Sequence, residues 1–377
     1  MSGYQYYEFQ AIDRPLTPEE QQAVAQLSSR VAPHPRRAVF TYSFGGGLSR
    51  SAEDLLAEYY DAMLYLANWG SRQLMFRFPK TLIDLEQVQQ YEMEFWGRFL
   101  NAISVQTEGD YAILDIQLGE EEGLDWVEGE GWLDSLIGLR DAILRRDHRL
   151  LYLAWLKGIT LGHGEDDDAL EPPVPPGLGA LTPALERFVE LFDIDEDLIQ
   201  VAAERSGELE VEASDDELRP AIAQLPAEER DAFLLQLAKG EPHLTLALNR
   251  RLDTFRGVSR RETAERRTVD ELFAQAEVLR ERRRREQAAE AEARRIAELQ
   301  ALAEREDEAW RKVDALIQQS QAKPYDEAVR LLKKLKDLAE YQNRPSAFEE
   351  HLDQIRDRYG RRHALMRRLR DAGLIEQ

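Results

Sequence analysis

The run RERRRREQAAEAEARRIAE, Arg280–Glu298, contains no proline, no glycine and no apolar seam that persists. Strong helix formers fill it, and Glu/Arg pairs four apart, Glu281–Arg285 and Glu290–Arg294, each add roughly 0.2–0.5 kcal/mol of helix stability. It is the middle of a longer stretch without helix breakers, Ser259–Gln318, which reads as one long charged helix. Two capping-box spacings compete for its start, Ser259 with Glu262 and Thr268 with Glu271. Short seams at 3–4 spacing lie toward its two ends: Val269, Leu272, Ala276 and Leu279, then Ile296, Leu299, Ala303, Trp310, Val313 and Ile317. Between them the seam positions fall on Arg283, Glu286 and Glu290, so a sustained coiled-coil heptad is absent. The end seams offer packing on the rest of the chain, or an oligomer contact through the long helix.

Outward from this helix, charge divides the chain. The sequence has 377 residues and a formal net charge of −23. Residues 249–377 hold 30 Lys/Arg against 26 Asp/Glu, net +4, so the first 248 carry net −27. Such an acidic body repels nucleic acid and suits a basic partner, or the chain's own tail. Cysteine is absent, which excludes disulfides, thiolate metal sites and cysteine nucleophiles. That composition fits a cytoplasmic location. The opening MSGYQYYEFQ has no signal-segment pattern and no apolar run approaches the length of a membrane span, so no membrane role is expected.

Strand patterns at Tyr4–Ile12, Ala38–Phe44, Gln73–Phe78, Ile103–Thr107 and Tyr111–Leu118 alternate with helical ones. The last two pair as a hairpin about Glu108-Gly109-Asp110. Thr17-Pro18-Glu19-Glu20 is a helix start, and Ser51 caps a helix predicted to run to Trp69, with Leu85–Phe99 and Leu133–Ile159 also helical. The fold class is α+β: residues 1–161 form a mixed α/β domain with about five strands. Residues 162–180 form an acidic, proline-rich linker that would lie extended over the surface. A helical domain follows at 181–257, with helices at Thr182–Leu191, Glu196–Arg205, Ala227–Lys239 and Leu244–Thr254. The long charged helix covers 258–320, and 321–377 form a small helical module opened by Tyr325–Tyr341 and by a capping box at Ser346–Glu349.

The segments YYEFQAIDRPLT (Tyr6–Thr17), YDAMLYLANWG (Tyr60–Gly70), FRFP (Phe76–Pro79), EPPVPPGLGALT (Glu171–Thr182) and FDIDEDLI (Phe192–Ile199) resemble a family of uncharacterised bacterial proteins. That resemblance brings no activity with it. The tail, from Trp310 through YDEAVRLLKKLKDLAE (Tyr325–Glu340) to Ala372-Gly373-Leu374, is similar to the C-terminal helical tail of bacterial SWIM-type zinc-finger proteins. The SWIM zinc motif needs cysteines and this chain has none. The resemblance therefore implies a shared helical module with a common docking surface, and no zinc; the partner expected is a protein, a SWIM-type protein or an ATPase encoded beside this chain being the candidates.

No motif for catalysis, cofactor or metal survives comparison with its structural alternative. Phe44-Gly45-Gly46-Gly47 sits between a strand and a helix, where a phosphate loop would, but no Lys-Ser/Thr follows and a turn is the better account. Asp193, Asp195 and Asp197 have calcium-loop spacing, yet Leu198 stands where the loop needs glycine, so helix capping is favoured. Glu165–Asp168 beside His163 reads as solvated linker, and the six histidines show no metal-ligand spacing. Two binding classes remain. As an adaptor, the chain would engage a protein through Trp126 and Trp132 in the loop LDWVEGEGW and through Tyr325, Leu332 and Phe348 in the tail module. As a nucleic-acid-associated protein it would use Arg282, Arg283, Arg284 and Arg285 with Arg367 and Arg368, and binding would weaken steeply with salt. The acidic residues flanking the arginine run favour a solvated helix face, and so the adaptor.

Overall fold

A computed structural model describes residues 3–28, 31, 34–43, 47–95, 100–119, 128–162, 169–209, 213–241, 243–256 and 266–375. Two compact units divide the chain, residues 1–279 and 280–377.

Unit 1 is built on a seven-stranded antiparallel sheet. Its strands are β1 (Tyr4–Gln10), β2 (Arg37–Ser43), β3 (Ala62–Ala67), β4 (Arg72–Pro79), β5 (Met93–Phe95), β6 (Leu100–Glu108) and β7 (Tyr111–Gln117), in the order β2-β1-β3-β4-β7-β6-β5. The β6–β7 hairpin closes at Glu108↔Tyr111 as expected. Two further strands lie where helix was predicted. The helix capped by Ser51, α2, ends at Tyr59, and Ala62–Ala67 is a central strand. Leu55, Leu56, Tyr59, Met63 and Leu66 mimic a helical stripe, but β3 is buried on both faces and so lacks the alternation that betrays a half-buried strand. In the predicted helix Leu85–Phe99, the described residues 85–95 likewise form a short helix, α3 (Leu85–Val88), and a 3-10 turn before β5.

Alternation along β4 sets the two sides of the sheet: Leu74, Phe76 and Phe78 face the larger core, while Met75 and Arg77 face the smaller. On the smaller side lie α1 (Pro18–Ala25) and α2 (Ala52–Tyr59), packed on Phe9, Phe40, Met63 and Ile113. The predicted start of α1 is present: Thr17 Oγ1 accepts from the Glu20 amide and the Glu20 carboxylate accepts from the Thr17 amide. The larger core is closed by α4 (Trp132–Leu136), α5 (Gly138–Leu144), α6 (Arg149–Leu161), α7 (Pro183–Phe192) and α8 (Glu196–Ala203). Asp195 caps α8, accepting from the Asp197 amide at 2.8 Å, so the acidic triplet serves helix capping.

The described part of the predicted linker is packed rather than solvated. Tyr91 Oη donates to the Pro173 carbonyl at 2.7 Å, and Arg149 Nη1 donates to the carbonyls of Gly177 (3.1 Å) and Ala180 (2.9 Å). Pro173 brings no amide that must find an acceptor, and its carbonyl is met by Tyr91 of the domain beneath. The helices α7 and α8 therefore share the sheet's core. Of the rest of the expected helical domain, α9 (Asp215–Gln224) and α11 (Leu244–Arg256) close on a small cluster of their own, Ala221, Leu225 and Leu252, while α10 (Ala227–Lys239) buries none of its side chains and leaves Leu234, Leu235 and Leu237 exposed.

The long helix is shorter than its sequence suggests. α12 spans Val269–Ala303, entered by the Thr268/Glu271 capping box, and the chain breaks at Glu304–Arg305 before α13 (Glu306–Gln318). The alternative start at Ser259 lies outside the described residues. Val269, Leu272, Ala276 and Leu279 join unit 1's core, Leu299 joins unit 2's, and nothing between Leu279 and Leu299 is buried.

Unit 2 is helical. α13, α14 (Ala322–Tyr341), α15 (Pro345–Tyr359) and α16 (His363–Asp371) enclose Val313, Ile317, Leu332, Leu335, Leu352, Leu365 and Leu369. The capping box expected at Ser346 is not formed, because the helix already begins at Pro345, leaving Ser346 inside its first turn.

Candidate functional site

The residues expected to dock a partner in unit 2 are core residues. Tyr325, Leu332 and Phe348 are 5%, 0% and 6% exposed and pack against α13 and one another's neighbours. Their 3–4 spacing marked an apolar face correctly, but α13 and α15 cover it, so it is not a free surface. Trp126 lies outside the described residues, as do Phe44, Gly45, Gly46, His163 and Glu165–Asp168. Trp132 begins α4, half-buried beneath the Arg187 guanidinium, which lies 3.9 Å from its ring centroid. It thus ties α4 to α7.

The arginine run is a solvated helix face. Arg285 donates to Glu281 at 2.8 Å, Arg282 lies 3.9 Å from Glu286, and Arg283 is half-exposed beside an exposed Arg284. In α16, Arg368 is paired with Asp326 at 2.7 Å while Arg367 is exposed. The structure does not gather these arginines into one site.

What sequence reasoning missed is a set of buried charge networks in unit 1. At the end of β1, Asp61 Oδ2 accepts from the amides of Ile12 (2.7 Å) and Asp13 (2.9 Å), and its Oδ1 takes Arg77 Nη2 at 2.7 Å. Arg140, on α5, forks onto Asp13 with two bonds of 2.8 Å and donates to the Arg77 carbonyl. His243, in the turn before α11, puts Nε2 3.1 Å from Asp13 Oδ1, off the line of a hydrogen bond. A second network seats the root of α12. Arg267 forks onto Glu171 at 2.7 and 2.8 Å, and Tyr152 Oη donates to the same carboxylate. The backbone adds Glu171 N to Arg267 O and Val269 N to Ala169 O, both at 2.9 Å. Burial and the adjacent Glu171 charge push the Tyr152 hydroxyl well above its ordinary value. In a third, Glu8 is fully buried between Tyr6, Gln10 and Arg37. Each pairs carboxylate with guanidinium, and Arg140–Asp13 and Arg267–Glu171 do so in the fork geometry that makes buried ion pairs tolerable.

One carboxyl breaks that pattern. On the smaller face of the sheet, register aligns Tyr7, Tyr65, Gln73 and Gln117 in one row, and Met63, Met75, Asp115 and Ser104 in the next. Asp115 Oδ1 accepts from Gln73 Nε2 at 2.9 Å, and no arginine or lysine pairs with it among the described residues. Burial, with a contribution from the Glu53 charge in the first turn of α2, raises its carboxyl to about 7. Tyr7 and Tyr65 stack with centroids 4.4 Å apart, and both hydroxyls reach Gln5 Oε1, at 3.1 and 3.4 Å. Tyr7, Tyr65, Gln117 and Asp115 are all half-buried on this face of the middle strands. Interior-strand faces are ordinarily apolar and covered, which makes this patch informative. No cluster of three or more metal-ligating side chains occurs among the described residues.

A scan against protein-family models returned no match, and searches of curated proteins and of solved structures likewise returned none.

Proposed function

We propose that the protein is a non-enzymatic adaptor of a bacterial multiprotein system, acting in the cytoplasm, whose acidic unit engages a basic protein partner. The observation that carries this reading is the partition of charge onto two separately cored units. Unit 1 holds 26 Lys/Arg against 52 Asp/Glu, net −26, and unit 2 holds 23 against 20, net +3. A field of that sign speeds encounter with basic proteins and disfavours nucleic acid. The middle of α12 supports the same reading, since no residue between Leu279 and Leu299 is buried. Among the described residues no helix is long and apolar enough to cross a membrane. A SWIM-type protein or an ATPase remains the proposed kind of partner.

The test is purification of the tagged full-length chain from its host, with and without nuclease, followed by mass spectrometry. A stoichiometric basic protein that survives nuclease and dissociates with rising salt is expected. Collapse of the bound set on nuclease treatment would replace the adaptor with a nucleic-acid tether. Truncations should cut at Arg280 rather than Tyr325, because removing α14–α16 alone would bare Val313, Leu316 and Ile317 of α13.

A further inference from the structure

The helix α10 presents to solvent the side that a helix ordinarily buries. None of its 13 residues is buried. Its half-buried positions, Glu229, Phe233 and Gln236, recur at 3–4 spacing and mark the side that meets α11, where Glu229 pairs with Arg251 at 2.7 Å. Away from that side, Leu234 and Leu237 are 58% and 65% exposed. A helix of this length is marginal in water and takes most of its stability from covering its apolar face. An uncovered one is a face suited to a second surface.

Charge says which surface. Leu234 and Leu237 stand in a row with Arg230 before them and Glu241 after, at steps of four, three and four, the spacing of a helix-pairing seam. Gly240, at φ +70°, ends the helix, and the Glu241 amide donates to the Gln236 carbonyl at 3.1 Å, which holds Glu241 at the end of the row. Arg230 and Glu241 are exposed, and neither has a partner among the described residues. Turned end for end, the row is its own complement: Arg230 falls on Glu241, and Leu234 on Leu237. A surface that meets its own copy about a two-fold axis has this property, since each contact then occurs twice. A copy laid in the same direction would set arginine on arginine.

We propose that α10 is a self-association surface, on which two copies of the chain pair antiparallel through Leu234 and Leu237, with Arg230 of each copy on Glu241 of the other. This goes beyond the adaptor reading and does not depend on it. The apolar area of such a face is on the order of a few hundred Å². A standard stable interface buries about 800 Å² per partner, so the pair is reversible and forms as concentration rises. Leu235, 57% exposed, points away from the row and stays outside the pair.

Sedimentation equilibrium of the full-length chain tests this at about 0.15 M salt, where repulsion between two copies of net charge −23 is screened beyond about 8 Å. The mass should climb from monomer toward dimer with loading concentration. Leu234→Glu, an exposed change whose fold circular dichroism checks, should hold the chain monomeric throughout. Arg230→Glu and Glu241→Arg should each weaken association roughly tenfold or more, because each sets like charges together twice. Combining the two restores the pairing with signs exchanged, and the double variant should associate as the parent does. Leu235→Ala should change little. A parent that is monomeric at every concentration, a dimer that survives Leu234→Glu, or a double variant as weak as the singles overturns the proposal. A monomeric parent from which Leu234→Glu strips a host protein in the tagged purification gives the face to that protein, and likewise overturns it.

Discussion

The two units bury their cores with different chemistry. All the fully buried charged side chains among the described residues, from Glu8 to Arg267, belong to unit 1. Unit 2's ion pairs, such as Arg344–Glu306 and Arg356–Asp353, are exposed, and its core is aliphatic and aromatic. A sheet with helices on both faces must seat loops and helix roots against its ends, where backbone groups face inward and need partners. Asp61 and Arg140 meet that need at the end of β1, and Glu171 with Arg267 meets it at the root of α12. A helical module satisfies its backbone internally and needs only an apolar stripe. Unit 1 is therefore the half in which single polar changes should be costly.

The sharpest break of this contrast is Arg267→Ala. It strands Glu171, 2% exposed, beside Tyr152, and should cost about 3–5 kcal/mol in the unit 1 transition of a urea unfolding curve. Its apolar counterpart, Leu332→Ala, should cost roughly 2–5 kcal/mol in unit 2 and leave the unit 1 transition in place. An Arg267→Ala protein within about 1 kcal/mol of the parent would mean the buried pair does not hold the helix root.

A smaller effect separates the units by pH. Asp115, raised to about 7, binds a proton in the folded state that the unfolded chain has released. Its stabilising contribution is complete below the unfolded value near 4 and is lost as pH rises through 7. His148, held down to about 4 chiefly by burial, acts in the opposite sense: its contribution is present above about pH 6.5 and is lost as pH falls through 4. Between these limits the slopes oppose, each at most about 1.4 kcal/mol per pH unit, and largely cancel. Asp115→Asn should uncover the histidine's slope, so that unit 1 weakens steadily from pH 6.5 to 4 while the unit 2 transition stays level. A variant profile as level as the parent's would show that one of the two groups is not perturbed.

The smallest expected effect lies in the solvated middle of α12. Glu281→Gln removes the 2.8 Å partner of Arg285, both side chains well exposed, and should cost roughly 0.2–0.5 kcal/mol of local helix stability by circular dichroism. A loss of several kcal/mol there would mean that this stretch is covered by a second surface.

Where an element's own residues settle its form, the sequence was legible. The Thr17 and Thr268 caps, the β6–β7 hairpin and the apolar stripes of α14 and α15 all stand as written. Ala62–Ala67 was not, because a strand buried on both faces loses its alternation. That Tyr325, Leu332 and Phe348 would be buried within unit 2 was not legible for a related reason: an apolar stripe announces that it will be covered, not by what.

By itself, then, the sequence determined the α+β class, the helical second half, the charge partition and the local caps, all of which depend on residues within a few turns of one another. Tertiary structure alone decided that Glu171 would meet Arg267 across 96 positions and that Asp115 would be left with Gln73 and, among the described residues, no cation. Strand order and register bring such residues together, and register is set by pairing between strands distant in the chain, for which no single segment carries a signal.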